Sequence, residues 1–132
     1  MIKKFLSYFM LLFSISPASA DTIDKYFYCI YQEDNHIDPT GPISLKPHEI
    51  MDLAFRVSEG KNNFIGFEDG KGDTIQFYTQ ELNQIWVDIP SAKENGSYGK
   101  LVNNDEFYDI IMKLKKPYKK YISTLNLEFQ AW

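Results

Sequence analysis

The sequence predicts an α+β fold: a single small domain whose antiparallel β-sheet meander packs two helices on one face. Three observations carry this expectation. Apolar residues recur at helical spacing in two separate segments, the period changes to two between Asn63 and Pro90, and turn residues divide the alternating runs at short intervals. The length of 132 residues suits one core and leaves no room for a second sizeable one. A composition that is 44% hydrophobic and 16% aromatic excludes a disordered or low-complexity chain.

The first element is an address rather than part of the fold. Residues 1–20 place Lys3 and Lys4 before an apolar run from Phe5 to Ile15, then Pro17 and the small-x-small triplet Ala18-Ser19-Ala20. This is the pattern of a secretory signal cleaved after Ala20, with an apolar stretch short of the roughly 20 residues that span a membrane. The expected mature domain is residues 21–132, exported to the periplasm with no stable membrane anchor. Its lone cysteine, Cys29, lies beyond the cut without a small-residue lipobox, and one cysteine makes no intramolecular disulfide.

Residues 25–31 read as a buried strand of β-formers in unbroken succession, with Cys29 an inert thiol inside the apolar run Tyr26 to Tyr31, although Ile23, Tyr26, Phe27 and Ile30 also fit a helical stripe. Asn35-His36 and the Asp38–Pro42 segment carry turn chemistry and read as an irregular loop. Pro47 suits the first position of a helix, Ile50, Leu53, Ala54 and Val57 form its apolar face, and Gly60 stops it. Phe64 to Glu68, Asp73 to Tyr78 and Ile85 to Ile89 form the three-stranded meander, turning at Asp69–Gly72 and at Glu81–Asn83, and Pro90 ends it. Ser91 to Lys100 is polar, contains two glycines, and reads as a loop. Asn104 or Asp105 caps a second helix with the stripe Phe107, Ile110, Ile111 and Leu114, which Pro117 ends or kinks. Alternation at Leu125, Leu127 and Phe129 predicts a last strand.

Charge and motifs narrow the function classes. The whole chain has a net charge of −4; the first twenty residues hold two lysines and no acid, so residues 21–132 carry 12 basic and 18 acidic residues, net −6. Between Asp21 and Lys100 the acids outnumber the bases 14 to 7. Such a balance opposes nucleic-acid binding, which needs a basic surface, and suits a basic partner. Lys113, Lys115, Lys116, Lys119 and Lys120 fall in the last turn of the second helix and beyond, where cations oppose its C-terminal dipole, with a contact to anionic lipid or peptidoglycan as the alternative. The two histidines, His36 and His48, lie in a turn and at a helix start, and Cys29 with His48 is the combination that nucleophilic catalysis could draw on. No cysteine or histidine spacing matches a metal site, and Gly70-Lys71-Gly72 lacks the length of a phosphate loop. The expectation is a non-enzyme without metal or cofactor.

Four stretches carry a resemblance: Gly41 to Leu53 (GPISLKPHEIMDL), Asn63 to Glu68 (NFIGFE), Thr74 to Tyr78 (TIQFY) and Ile85 to Pro90 (IWVDIP). Together they resemble small immunity proteins of bacterial interbacterial toxin systems, and the likeness continues loosely through the Phe107 helix to Trp132. It departs from that group in the longer Ser91–Lys100 segment and in carrying a cleavable signal. The resemblance implies a periplasmic variant that binds and neutralises a cognate toxin or effector, such as one delivered by type VI secretion against the cell wall or membrane. The other classes are a periplasmic inhibitor of a host hydrolase such as lysozyme, and a small secreted enzyme or binding module. Because turns project beyond a rigid sheet, the expected partner-binding residues are Glu68, Asp69, Asp73, Glu81, Asp88, Glu94 and Tyr98.

Overall fold

In a computed structural model the described residues are 9–10, 22–23, 25–33, 35–37 and 46–132. Apart from Phe9 and Met10, the expected signal lies outside them, as do its cleavage point and the turn-rich segment 38–45. Two short strands, β1 (Phe9–Met10) and β2 (Thr22–Ile23), pair antiparallel with each other.

Among the described residues the main sheet has seven antiparallel strands: β3 (Lys25–Ile30), β4 (Asn35–Ile37), β5 (Phe64–Glu68), β6 (Thr74–Glu81), β7 (Gln84–Ser91), β8 (Gly96–Val102) and β9 (Glu128–Ala131), in the order β4-β3-β5-β6-β7-β8-β9. Strand β3 resolves the strand-or-helix ambiguity: the chain runs extended through Ile30 and then makes a 3-10 turn at Tyr31–Glu33. Asn35–Ile37, expected as loop, instead forms an edge strand against β3. The expected loop from Ser91 to Lys100 is a 3-10 turn at Ala92–Glu94 followed by strand β8. Pro90 does not end β7; it pairs with Ser97 inside the hairpin.

Helix α1 (Pro47–Ser58) starts with proline at the first position and closes its end with Glu49, whose Oε1 accepts from the Lys46 N–H at 2.7 Å. Helix α2 (Asn104–Met112) is capped by Asn103 rather than by Asn104 or Asp105. Asn103 Oδ1 accepts from the Glu106 N–H at 2.8 Å, and the Asn103 N–H donates to Glu106 Oε1 at 2.9 Å. A short helix α3 (Tyr121–Thr124) follows a 3-10 turn at Tyr118–Lys120. Only Glu128–Ala131 of the expected last strand is extended; Leu127, buried, precedes it.

Alternation splits the sheet into two faces. Tyr26, Ile65, Phe67, Ile75, Phe77, Ile85, Val87 and Ile89 point to the helices and meet Ile50, Leu53, Ala54 and Val57 of α1 and Phe107, Ile110 and Ile111 of α2 in one core. The centre of that core is aromatic: the fully buried rings of Phe77 and Phe107 have centroids 5.1 Å apart. The stripe of α1 and the inward face of the meander are those the periodicity predicted; α2 stops at Met112, short of Pro117, so Leu114 is buried just beyond it and the lysine cluster follows the helix rather than entering its last turn.

Candidate functional site

In an antiparallel meander, the β5–β6 and β7–β8 turns lie at the same end of the sheet, and the β6–β7 turn lies at the other. The expected site residues divide accordingly. Glu68, Asp69, Asp73, Glu94 and Tyr98 gather at the first end. Glu81, at the opposite end, is exposed and pairs with Lys61 at 3.0 Å. Asp88 sits midway along the face turned away from the helices, opposite Gln76 and Gly99.

Their surroundings differ more than their positions. Asp69 is buried, 4% exposed, and its Oδ1 accepts from the backbone N–H groups of Lys71 (2.8 Å) and Asp73 (3.1 Å). Its carboxylate therefore builds the turn, which Gly72 completes at φ +89°. Glu68 is also buried, with Lys25 Nζ 3.9 Å away across the strand pair. These two acids belong to the scaffold rather than to a docking surface. Glu94 is exposed and accepts a hydrogen bond from the Tyr98 hydroxyl. That bond, then burial and the carboxylate's charge, raise the Tyr98 phenol above its ordinary pKa.

Tyr98 belongs to a corner that the chain terminus completes. Its ring meets Phe129 of β9 edge-on at 5.2 Å, and the Trp132 N–H donates to the Asn95 carbonyl at 3.0 Å. Phe129 is 45% exposed and Trp132 71%. Gly96 is required here, because a Cβ would strike the Gln130 carbonyl and the Phe129 ring. Tyr98 is an expected residue of this surface; Phe129 enters the sequence pattern only as part of a strand, and Trp132 only as the end of the resemblance. Their exposure depends on β9 being an edge strand, which local sequence does not reveal.

The helix-free face carries a second ordered feature. Cys29, Phe64, Tyr78, Trp86 and Leu101 are successive cross-strand partners from β3 to β8, so one row of side chains crosses five strands. Cys29 is half-buried there, not enclosed in the core as expected. Its charge is the largest influence raising the pKa of neighbouring Tyr31, ahead of burial. Phe64, Tyr78 and Trp86 are half-buried and Leu101 is exposed. The next row is polar: Gln76 Nε2 donates to Asp88 Oδ2 at 3.0 Å, and Trp86 Nε1 donates to Asp88 Oδ1 at 3.3 Å. The indole lies over Gly99, where a Cβ would collide with it. A glycine inside a strand is the signal that marks such a close approach.

On the helix side, an open groove of about 640 Å³ runs between α1 and β3. Tyr26 and Tyr28, stacked at 6.2 Å, floor it, and His48, Asp52 and Arg56 rim it. Asp52 is held by Arg56 at 3.3 Å. The groove does not unite Cys29 with His48. Cys29 shares the opposite face with Phe64, whereas His48 stands on α1. Among the described residues, no group of three or more His, Cys, Asp or Glu could hold a metal ion. No helix of the described residues is long and apolar enough to cross a membrane. No protein-family model, curated protein or solved structure matches the chain.

Proposed function

We propose that the chain is an exported immunity protein that binds a toxin with a basic surface in the periplasm and neutralises it by covering it. The observation that carries this reading is the corner formed by Glu94, Tyr98, Phe129 and Trp132. There, the Glu94 carboxylate holds the Tyr98 hydroxyl, the Tyr98 ring meets Phe129 on the adjoining strand, and the backbone of Trp132, whose ring is largely exposed, is tied to Asn95. Aromatic side chains, with only two rotatable side-chain bonds, lose little entropy on docking and dominate protein–protein affinity, while nearby acids steer a basic partner and exclude others. Neutralisation of this kind needs no bond-making chemistry. The net charge of −6 over residues 21–132 supports the same choice of partner.

The test is growth protection against the toxin encoded in the adjoining reading frame. The full chain should protect and yield a mature protein starting at Asp21, whereas a version lacking residues 2–20 should not protect. The double variant Glu94→Lys/Trp132→Ala should weaken toxin binding roughly 30-fold or more, the scale of a lost anchor. Absence of protection by folded, exported protein would overturn the reading. Protection without the signal would move the encounter to the cytoplasm.

A further inference from the structure

The indole of Trp86 lies over Gly99 of β8, and Gly99 faces Asp88 on β7 and Glu128 on β9. Directly opposed residues of paired strands share a face, so the ring lies over the strand between the two positions that carry the acids. Strands are spaced about 4.8 Å apart, which puts the backbones carrying the two acids about 10 Å apart, roughly the breadth of an indole and the groups that flank it. Asp88 is fixed by Gln76 and by the indole N–H, and each of its oxygens keeps a second lone pair. Glu128 is exposed on the edge strand. Lys100, the nearest base on β8, is turned to the opposite face, where its Nζ donates to the Leu125 carbonyl at 3.0 Å. Nothing on that strand offsets the two acids.

We propose that Trp86, Asp88 and Glu128 form a receptor for an arginine side chain of a basic partner protein. Charge complementarity selects a cation, and an indole face adds the attraction of its quadrupole. A planar guanidinium can stack on the ring while its edges donate to the carboxylates; a compact ammonium can make one of these contacts well at a time. The inference rests on the proposed toxin-binding reading and extends it around β9. Phe129 marks one face of that strand and Glu128 the other.

The experiment measures fluorescence anisotropy of a labelled hexa-arginine peptide with the purified protein. Hexalysine and chitotetraose serve as competitors. Hexa-arginine should bind about tenfold more tightly than hexalysine, and Trp86→Ala should weaken it about tenfold while Trp86→Phe keeps part of the affinity. Glu128→Gln, on an exposed position that folding does not depend on, should weaken binding several-fold and flatten its salt dependence. Gly99→Ala should weaken binding by lifting the ring, with circular dichroism verifying the fold. Equal arginine and lysine affinities indifferent to Trp86 would overturn the proposal. Trp86-dependent chitotetraose binding without arginine binding would also overturn it. If peptide binding fails while growth protection persists, this receptor alone is lost; if protection fails while arginine selectivity holds, the immunity reading is lost and the receptor stands.

Discussion

At the residue scale, one element, aspartate, takes opposite roles within twenty positions. Asp69 gives its carboxylate to two backbone N–H groups inside a turn and is withdrawn from solvent, while Asp88 uses its carboxylate to orient an indole on the open sheet. Asp69→Ala would remove the acceptor shared by the Lys71 and Asp73 N–H groups of the turn and should cost about 1 kcal/mol in chemical denaturation. Charge reversal at that position therefore tests the hairpin and not a partner. Tyr98 offers a spectroscopic check. Its folded pKa lies above the ordinary value of 10.0 because the neutral phenol donates to Glu94. The neutral form is thus favoured by folding, and that contribution is complete below pH 10 and lost as pH rises through the raised value. In an ultraviolet titration, Glu94→Ala should bring one tyrosine midpoint down toward 10.0. An unchanged curve would show that the hydrogen bond does not govern the phenol.

At the element scale, the helices were the most legible part of the molecule. Phe107, Ile110 and Ile111 repeat at a spacing that one helical face satisfies, and burial selects that face, while Leu114, on the same predicted stripe, is buried just past the end of α2. Phe107→Ala should cost about 3–5 kcal/mol, since the ring fills space against Phe77 that the sheet cannot close. A melting transition at the parental temperature would contradict this packing. Removing the cap by Asn103→Ala should cost about 1 kcal/mol, detectable in the same measurement. Strand β8 was not legible for a physical reason. Its two glycines, Gly96 and Gly99, resemble loop punctuation, but each is small because an aromatic ring from a neighbouring strand lies where its Cβ would be. That ring is remote in sequence, so local propensity argues against a strand that tertiary contact requires. The same holds for Pro90, which pairs across to Ser97 despite lacking an N–H to donate.

At the scale of the whole molecule, the site was legible only in part. An acidic surface and exposed aromatics could be read from composition, yet the rows that organise them exist only once seven strands are in register. Glu94 and Tyr98 meet as neighbours on one turn; Glu81, equally acidic, is carried to the far end by the direction of β6. Reversing Asp73 and Glu94 to lysine, with Asp69 left in place, should keep the melting temperature within a few degrees and weaken capture of a basic toxin. The remaining affinity should depend less on salt, because fewer charge pairs would be screened. Full retention of binding and of its salt slope would exclude the turn end as the contact.

The order of strands also sets an order of events. From β5 to β8 every strand pairs with its immediate successor, across connections of five, two and four residues. Closures this short take well under about 1 μs, so loop entropy barely delays this central meander. Strand β3 must wait for α1 to form between it and β5, and β9 must wait for α2 and α3. The centre of the sheet should accordingly assemble first and open last. In native-state hydrogen exchange, amides of β6 and β7 should report global unfolding, while those of β9 exchange through cheap local fraying. The strand that carries Glu128 and Phe129 is then a hinged margin on a slow-opening frame, able to adjust to a partner without loosening what holds the protein together.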